Sequence, residues 1–436
     1  MIFSFMKVVI LNKSDATGGA AVVSRRLLEA LRGEGVDAQM LVCEKLTDSP
    51  FVELAANPKD IKFKFLLERL KIYIATGCNR KNLFKIDTGE EGLPLWKNPL
   101  VKEADAILIN WVNQGMLSLK GFEKILKLGK PVICTMHDMW NLTGICHHAG
   151  KCINYKKECG ECPLLEKLAS SNDLSHKIWI KKNLIYNNSQ LNRQLAFVPV
   201  SNWLKNKALE SSLLKSQRIE VIPNPFSLNI NDPSISLSGD LTRTNSKTPT
   251  RILFGAARLD DPIKGLDTLR ETSKILKEKY PDIAKNLELA LFGNIKNPAN
   301  LEGFALPLIR LGVLSDEKEV RSAYQKSQIV VSASSYETLP GTLVEAQAYG
   351  CIPVSFNQGG QSDIVENGVT GFIAEYSDDP ETRAENLAIA ITRAYEIARE
   401  ETVYEKMKQE MRKSVEEKFS YKEIALKYVA LIKKLS

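Results

Sequence analysis

Short apolar runs alternate with longer amphipathic segments along this chain, and this alternation limits its possible folds more than any other feature. Such a pattern is typical of parallel sheets that are covered by helices. The predicted strands fall at residues 7–12, 38–43, 106–109, 131–136, 196–200 and 219–222 in the first half, and at 251–256, 287–292, 310–311, 329–333 and 352–356 in the second. The sequence therefore predicts an α/β protein with two doubly wound, Rossmann-like domains.

The chain is too long for a single ordinary core, because it has 436 residues. A polar stretch that is rich in Ser, Thr, Asn and Asp separates the two halves and predicts a linker at residues 226–249. The predicted domains are then 1–225 and 250–405, and an amphipathic helix at about 406–436 is expected to pack back on the first. Ligands of such sheets bind beyond the carboxyl ends of the strands, so we expect the site in a cleft between the domains.

Composition indicates a globular protein, with 44% hydrophobic and 25% charged residues. No apolar run approaches the roughly 18 residues of a membrane span. The first six residues have neither a basic start nor a small-residue cleavage site, which predicts no signal peptide and a cytoplasmic location. No repeat or motif favours a nucleic-acid partner.

The net charge of +7 is concentrated locally in a basic stretch at residues 59–85. Here cations such as Lys62, Lys64 and Lys71 are interleaved with large apolar residues. Such a segment could rest on an anionic membrane surface, such as the inner face of the plasma membrane. It could equally be a solvated helix whose apolar side packs inward, and the sequence leaves both interpretations open.

The run Tyr-Glu-Thr-Leu-Pro-Gly-Thr-Leu-Val-Glu at 336–345 follows a predicted strand and leads into a helix. Pro340 suits the first turn of a helix, and the amides of Gly341 and Thr342 would favour an anion at its positive end. Glu337 stays on the loop, whereas Glu345 lies about 7.5 Å along the axis from Pro340. This layout fits a nucleotide sugar, although glutamates are common in first helical turns for electrostatic reasons alone.

Two other glycine-rich or basic loops follow predicted strands. Arg258 and Lys264 lie six residues apart after one strand and could clamp two phosphates. Gly18 and Gly19 follow the first strand and precede a helix, where glycine lets a backbone approach a ligand closely. This pair could admit a diphosphate or an acceptor hydroxyl, or it could form only a tight turn.

Together, these glycines, cations and glutamates resemble those of the family-4 retaining glycosyltransferases of the GT-B fold, as found in bacterial polysaccharide biosynthesis. The resemblance implies that Arg258 and Lys264 bind the donor diphosphate, Glu345 the ribose and Glu337 the transferred sugar. It also implies a UDP- or GDP-sugar donor, no obligatory catalytic metal, and front-face attack by the acceptor hydroxyl. Thr338 and Leu339 depart from the family's usual residues after the first glutamate, so the sugar stays open.

His137 ends a predicted strand of the first half. By the same resemblance it supports the transferred sugar and helps to position the acceptor. A neutral imidazole could also accept a proton, because the ordinary pKa of histidine is about 6.5. A histidine at a strand end can equally serve packing alone.

Four cysteines, Cys146, Cys152, Cys159 and Cys162, crowd into one segment. In a reducing compartment such clusters bind metal more often than they form disulfides. Four thiolates would close a tetrahedral structural zinc site, and free thiols are the alternative.

The sequence therefore predicts a retaining hexosyltransferase that moves a sugar to a hydroxyl of a glycan or lipid-linked acceptor, in exopolysaccharide, capsule or lipopolysaccharide synthesis. Two alternatives stay open. A GT-B sugar-nucleotide epimerase would convert the donor without an acceptor, and a non-catalytic assembly partner would bind it without turnover.

Overall fold

The computed structural model describes residues 6–227, 248–314 and 316–436, and it divides the chain into two compact units. Unit 1 comprises Met1–Pro225 and Tyr421–Ser436, and unit 2 comprises Phe226–Ser420. Most of the predicted linker, residues 228–247, lies outside the described residues.

Unit 1 is built on a six-stranded parallel sheet with the strand order β3-β2-β1-β4-β5-β6. Its strands are β1 (Lys7–Leu11), β2 (Asp37–Val42), β3 (Val52–Leu54), β4 (Ala106–Ile109), β5 (Val132–Met136) and β6 (Leu195–Pro199). Its helices are α1 (Gly19–Gly33), α2 (Pro58–Ala75), α3 (Pro99–Glu103), α4 (Leu119–Leu126), α5 (Leu174–Tyr186), α6 (Asn202–Glu210) and α14 (Tyr421–Leu435). The strands β4, β5 and β6 are buried at every position, which explains their continuous apolar sequences.

Unit 2 has a second six-stranded parallel sheet, with the order β12-β11-β10-β7-β8-β9. Its strands are β7 (Thr250–Arg258), β8 (Leu287–Asn294), β9 (Leu308–Gly312), β10 (Ile329–Ser332), β11 (Ile352–Phe356) and β12 (Phe372–Ala374). Its helices are α7 (Leu266–Lys279), α8 (Pro281–Ala284), α9 (Glu317–Gln325), α10 (Gly341–Ala348), α11 (Gln361–Ile364), α12 (Pro380–Arg399) and α13 (Glu401–Phe419).

The two sheets have the same connectivity. When the strands of unit 2 are counted from β7, both orders are 3-2-1-4-5-6, the doubly wound arrangement. The predicted α/β fold with two Rossmann-like sheets is therefore confirmed. In each sheet the strand order reverses between the first and fourth strands, which are adjacent and parallel: β1 and β4 in unit 1, and β7 and β10 in unit 2. Ligands of doubly wound sheets bind beyond the strands at this switch point.

One predicted strand does not form, and two observed strands were not predicted. Residues 219–222 do not form a strand, because only Ile219 makes an isolated bridge, to Phe197. The strands β3 and β12 were not predicted, since each has only three residues and too short a pattern to recognise.

The C-terminal segment consists of two helices that belong to different units. Helix α13 lies in unit 2, and α14 belongs to unit 1, so the returning segment begins at Tyr421 rather than near residue 406. Ser420, whose backbone is extended, separates the two helices. Helix α14 buries Ile424, Tyr428 and Ile432 in the same core as Leu28 and Leu31 of α1.

Among the described residues, none of the helices is both long enough and apolar enough to pass through a lipid bilayer.

Candidate functional site

The switch point of unit 2 brings together three of the predicted site residues. Arg258 is the last residue of β7, and Lys264 ends the short 3-10 helix Pro262–Lys264 that follows. Glu337 lies on the loop beyond β10, which is the strand next to β7. Two segments distant in sequence thus place their charged side chains at one edge of the sheet.

Lys264 and Glu337 form a direct ion pair, with 2.5 Å between Lys264 Nζ and Glu337 Oε1. The Ser334 hydroxyl donates a second hydrogen bond, 3.1 Å long, to the same carboxylate oxygen. The two charged side chains keep 32% and 20% of their surface exposed. Each side chain therefore helps to fix the position of the other, and both remain accessible to a ligand.

Backbone contacts hold the loops that carry Lys264 and Glu337 in place. The Ser335 N–H donates to the Ile263 carbonyl at 2.9 Å, and the Glu337 carbonyl accepts from the Gly360 N–H at 3.0 Å. Gly265 follows Lys264 with a φ of 77°, and a Cβ at this position would lie 2.1 Å from the Ala333 carbonyl oxygen. Only glycine permits this close approach, so the position of Lys264 depends on it.

Helix α10 begins one residue later than the sequence suggested. Pro340, with a φ of −71°, occupies the N-cap, and Gly341 and Thr342 begin the first turn. The N–H groups of a first turn point outward and give a helix its positive end. Further along α10, one carboxylate oxygen of Glu345 accepts a 3.0 Å hydrogen bond from the hydroxyl of Tyr324. Tyr324 was not predicted from the sequence, and its burial against Tyr349 gives it a fixed orientation.

Arg258 lies among carboxylates of its own loop. Its guanidinium is 3.5 Å from Asp260 and 3.2 Å from Asp261, and 41% of the side chain is exposed. Such partly exposed pairs are weak, so an anion with several negative oxygens can compete for the guanidinium.

His137 lies in unit 1, immediately after β5, and lines a small cavity of about 30 Å³ with Trp111 and Asp138. Burial lowers the pKa of His137 to about 4, although the nearby Asp138 opposes this shift. The ring is therefore neutral at neutral pH and has one nitrogen that can accept a proton.

A buried charge network, which sequence reasoning missed, lies beside His137. The His147 ring is 2.7 Å from Asp138 through Nδ1 and 2.8 Å from Asp87 through Nε2. Burial opposes protonation of His147, but the two carboxylates outweigh it and raise its pKa to about 10. Asp87 also pairs with the buried Arg69 of α2. Only the neighbouring Asp138 gave any sequence signal, because it follows His137 directly.

Helix α2 buries charged side chains and exposes large apolar ones, unlike an ordinary surface helix. Its buried side includes Glu68 and Arg69, and Glu68 accepts hydrogen bonds from the backbone of Thr88, Gly89 and Glu91. Four large apolar side chains on the opposite side are more than half exposed, namely Phe63, Leu66, Leu70 and Ile74. Of the two interpretations of this basic stretch, inward packing of its apolar side is therefore not found for these four residues.

Gly18 and Gly19 border a large cavity of about 710 Å³ at the switch point of unit 1. Gly18 is the N-cap of α1 with a φ of 89°, and Gly19 begins the helix. Lys13, which follows β1, also lines this cavity and was not predicted. The sequence signal for Lys13 was its position just beyond the first strand, where doubly wound sheets bind their ligands.

The four clustered cysteines do not form the predicted metal site. Among residues 6–227, 248–314 and 316–436, no group of three or more His, Cys, Asp or Glu side chains is placed to hold a metal ion. The structure therefore does not support zinc binding by Cys146, Cys152, Cys159 and Cys162, which are free thiols.

A carboxylate orders this cysteine-rich segment instead of a metal. Asp173 accepts hydrogen bonds from the N–H groups of Cys162, Ser170 and Ser175. The Gly160 N–H donates to the Ser175 hydroxyl, and the Gly144 N–H donates to the sulfur of Cys159. These contacts constrain the segment through hydrogen bonds.

The second half of the chain resembles a known family in sequence. Residues 241–413 match the family model described as glycosyl transferases group 1. A glycogen synthase of Pseudomonas fluorescens (strain Pf0-1) is 33% identical over 89 residues, which cover 20% of this chain and 17% of that protein. This chain therefore matches only about a sixth of the length of that curated relative.

The likeness of the fold extends over nearly the whole chain. The crystal structure of the Anabaena protein HepE in complex with UDP matches with a TM-score of 0.58 and 16% identity, over 98% of this chain and 100% of that one. WaaG, a glycosyltransferase involved in lipopolysaccharide biosynthesis, matches with a TM-score of 0.59 and 11% identity, over 98% and 99%. The chain has the GT-B fold.

Proposed function

We propose that this protein is a family-4 retaining glycosyltransferase that moves a sugar from a nucleoside diphosphate to a hydroxyl group. The observation that carries this proposal is the accessible Lys264–Glu337 ion pair at the switch point of unit 2. This pair lies beside the start of α10 and within the residues that match the group 1 family model.

Transfer requires stabilisation of the negative charge that develops on the leaving diphosphate. Arg258 and Lys264 supply two cations, and the first-turn N–H groups of Gly341 and Thr342 supply a positive helix end. Binding of the diphosphate draws Lys264 away from Glu337. The carboxylate then becomes available to the hydroxyl groups of the transferred sugar.

Glu345 binds the ribose of the donor in this proposal. A carboxylate accepts several hydrogen bonds, so the Tyr324 hydroxyl orients Glu345 without using up its capacity. The donor is a UDP- or GDP-sugar, and UDP is favoured by analogy with the HepE complex. That no catalytic metal is required stays a prediction. Gly18 and Gly19 stay predicted to admit either the donor diphosphate or an acceptor hydroxyl, and UDP binding by a Gly19 variant distinguishes the two.

His137 supports the transferred sugar and the acceptor from unit 1. Its ring is neutral at neutral pH and can accept a hydrogen bond from a hydroxyl of the sugar or the acceptor, although a pKa of about 4 makes it a weak base. Attack on the same face that the diphosphate leaves would retain the anomeric configuration, as the resemblance to family 4 implies. The likeness to WaaG favours a glycan or lipid-linked acceptor in polysaccharide or lipopolysaccharide synthesis.

Binding and transfer measurements on matched variants test this proposal. Arg258→Ala and Lys264→Ala should each weaken UDP binding roughly 10- to 150-fold, because each removes a charge-assisted contact. Glu337→Gln should lower transfer by about 100-fold or more, since its carboxylate acts on the reacting sugar. The controls are Lys274→Ala and Glu271→Gln, which break a similar ion pair on α7, 2.8 Å long, away from these loops.

Calorimetry with UDP and GDP and a transfer assay with labelled UDP-sugars distinguish the outcomes. Unchanged binding in Arg258→Ala and Lys264→Ala would overturn the donor site. Conversion of a UDP-sugar without any acceptor would indicate an epimerase instead, and binding without conversion would indicate an assembly partner.

We also propose that α2 lies on an anionic membrane, which would place the protein at the inner face of the plasma membrane. The support is the exposed apolar stripe of Phe63, Leu66, Leu70 and Ile74, together with the positive charge of the surrounding stretch. Amphipathic helices of this kind bind anionic lipid through both apolar burial and charge.

Sedimentation with phosphatidylglycerol vesicles tests the membrane proposal. Leu66→Ser combined with Leu70→Ser should weaken binding by about tenfold per side chain, because apolar area is lost from the bilayer contact. Val313→Ser is the control, since Val313 is 64% exposed in unit 2. Equal sedimentation of all three proteins, or none with the wild type, would exclude this membrane surface.

A further inference from the structure

The cavity of about 710 Å³ in unit 1 lies where a doubly wound sheet binds its ligands. It borders the segments beyond β1 and β4, the two adjacent strands at which the strand order of the sheet reverses. Apart from Gly18 and Gly19, the donor-binding residues proposed above belong to unit 2, and they assign no function to Lys13 or to the rest of this cavity.

Lys13 supplies a fixed positive charge in this cavity. Its N–H donates to the Trp111 carbonyl at 2.8 Å, and its carbonyl accepts from the N–H groups of Cys43 and Glu44. The ammonium group donates to the Gln114 carbonyl at 3.0 Å. The backbone of Lys13 is thus tied to the segments that follow β2 and β4, and its charge is held at a defined place.

The surroundings of Lys13 leave its charge incompletely compensated. Burial lowers its pKa, although Asp87 and Glu44 partly oppose this effect. Glu44 is itself exposed at the edge of the cavity. A bound anion would restore the lost solvation of the ammonium group.

The start of α1 is a second feature that favours an anion here. Apart from chain neighbours and the backbone of α1 itself, no atom of the described residues lies within 4 Å of a Cβ built on Gly18 or Gly19. The backbone is therefore open on this side, next to the positive end of a helix of 15 residues.

The opposite wall of the cavity is apolar. It is formed by Leu54 of β3 and by Pro58, Ile61 and Phe65 of α2. The Phe65 ring lies 5.5 Å from the Lys13 ammonium group. A ligand that fills the cavity must therefore carry an anionic group next to a body that tolerates apolar contacts.

We propose that this cavity is an acceptor subsite that binds the phosphate group of a phosphate-bearing acceptor, with Lys13 as the anion-binding residue. The inference rests on the proposed glycosyltransferase function, because it names the class of the acceptor. The phosphate belongs to a lipid-linked acceptor or to a soluble sugar phosphate.

Calorimetry with two pairs of probes tests the subsite. Farnesyl phosphate is compared with farnesol, and glucose 1-phosphate is compared with glucose. We expect the wild type to prefer at least one phosphate over its uncharged partner by tenfold or more. Lys13→Met should abolish that preference, whereas the control Lys45→Met, at an exposed lysine outside the cavity lining, should keep it. The preferred pair identifies the lipid or the soluble source.

A second variant keeps the test valid if Lys13→Met does not fold. Gly19→Asp places a carboxylate at the first position of α1, where it stabilises the helix and repels an anion. This variant should remain folded and lose the preference for phosphate. Equal binding of phosphate and uncharged probes by the wild type, or a preference that survives both variants, would overturn the subsite.

UDP binding, measured on the same proteins, separates this inference from the donor proposal. Undiminished UDP binding in Lys13→Met and Gly19→Asp assigns the cavity to the acceptor. Loss of UDP binding in folded Gly19→Asp would mean that the cavity holds the donor diphosphate, and the acceptor subsite would be wrong. If the wild type prefers phosphate but does not bind UDP, the anion subsite stands and the donor proposal fails.

Discussion

Unit 1 and unit 2 have sheets of the same strand order, and in both the charged side chains gather beyond the carboxyl ends of the strands. In unit 1 Arg69, Asp87 and His147 are buried and contact one another, and His147 also contacts the partly buried Asp138. In unit 2 Lys264 and Glu337 pair at the surface and remain accessible. Charges that satisfy each other in a dry interior hold the fold, whereas charges that pair in contact with water can exchange partners with a ligand.

Removal of one charge from each unit gives the largest expected contrast. Asp87→Asn should destabilise unit 1 by about 3–5 kcal/mol, because it leaves Arg69 and His147 buried without a common partner. Glu337→Gln should change stability by only about 0–1 kcal/mol, since its ion pair is partly exposed.

Tryptophan fluorescence during urea unfolding measures the first half of this contrast, because all five tryptophans of the chain lie in unit 1. Circular dichroism follows both units together. The exposed Asp48→Asn is the control for Asp87→Asn. A loss of less than about 1 kcal/mol in Asp87→Asn would show that the buried network does not support the fold.

The pH dependence of stability sharpens the contrast within unit 1. The pKa of His147 is raised to about 10, so its stabilising contribution is complete below pH 6.5 and is lost as the pH rises through 10. Burial lowers the pKa of Lys182 to about 7, so its contribution to stability grows between pH 7 and 10.5. The two effects oppose each other over almost the same range.

The substitution Lys182→Met should therefore reveal the loss of stability that deprotonation of His147 causes. We expect the stability of the wild type to change little between pH 6.5 and 10. The variant should lose stability on the order of a few kcal/mol over the same range. Urea midpoints at several pH values measure this, and the exposed Lys177→Met on the same helix is the control. A variant whose profile follows that of the wild type would mean that His147 is not protonated in the folded state.

The smallest expected effect concerns how Glu345 is held. Tyr324→Phe removes the hydroxyl that orients this carboxylate and should weaken UDP binding about 3- to 10-fold, at a cost in stability of about 1 kcal/mol. Tyr404→Phe is the matched control, because its buried hydroxyl donates to the Gly350 carbonyl. If both variants bind UDP equally well, the Tyr324 contact serves only the fold.

The sequence predicted the accessible site of unit 2 better than the buried network of unit 1. Lys264 and Glu337 lie on loops that follow recognisable strands, and the strand order then brings them together. The partners Asp87 and His147 are 60 residues apart, and no local pattern shows that either is buried. The sequence left the orientation of helix α2 open for a similar reason, because inward-facing Glu68 and Arg69 reverse its ordinary amphipathic pattern.

Helix α14 couples the completion of unit 1 to the synthesis of the whole chain. It packs its apolar side into the core of unit 1, and the Tyr428 hydroxyl lies 2.9 Å from that of Thr135 in β5. On the ribosome, the first 225 residues emerge with this part of their core uncovered until residues 421–436 follow. Chaperones would meet that open surface throughout translation of unit 2, and a nonsense mutation anywhere before Tyr421 would damage the half that had already been made.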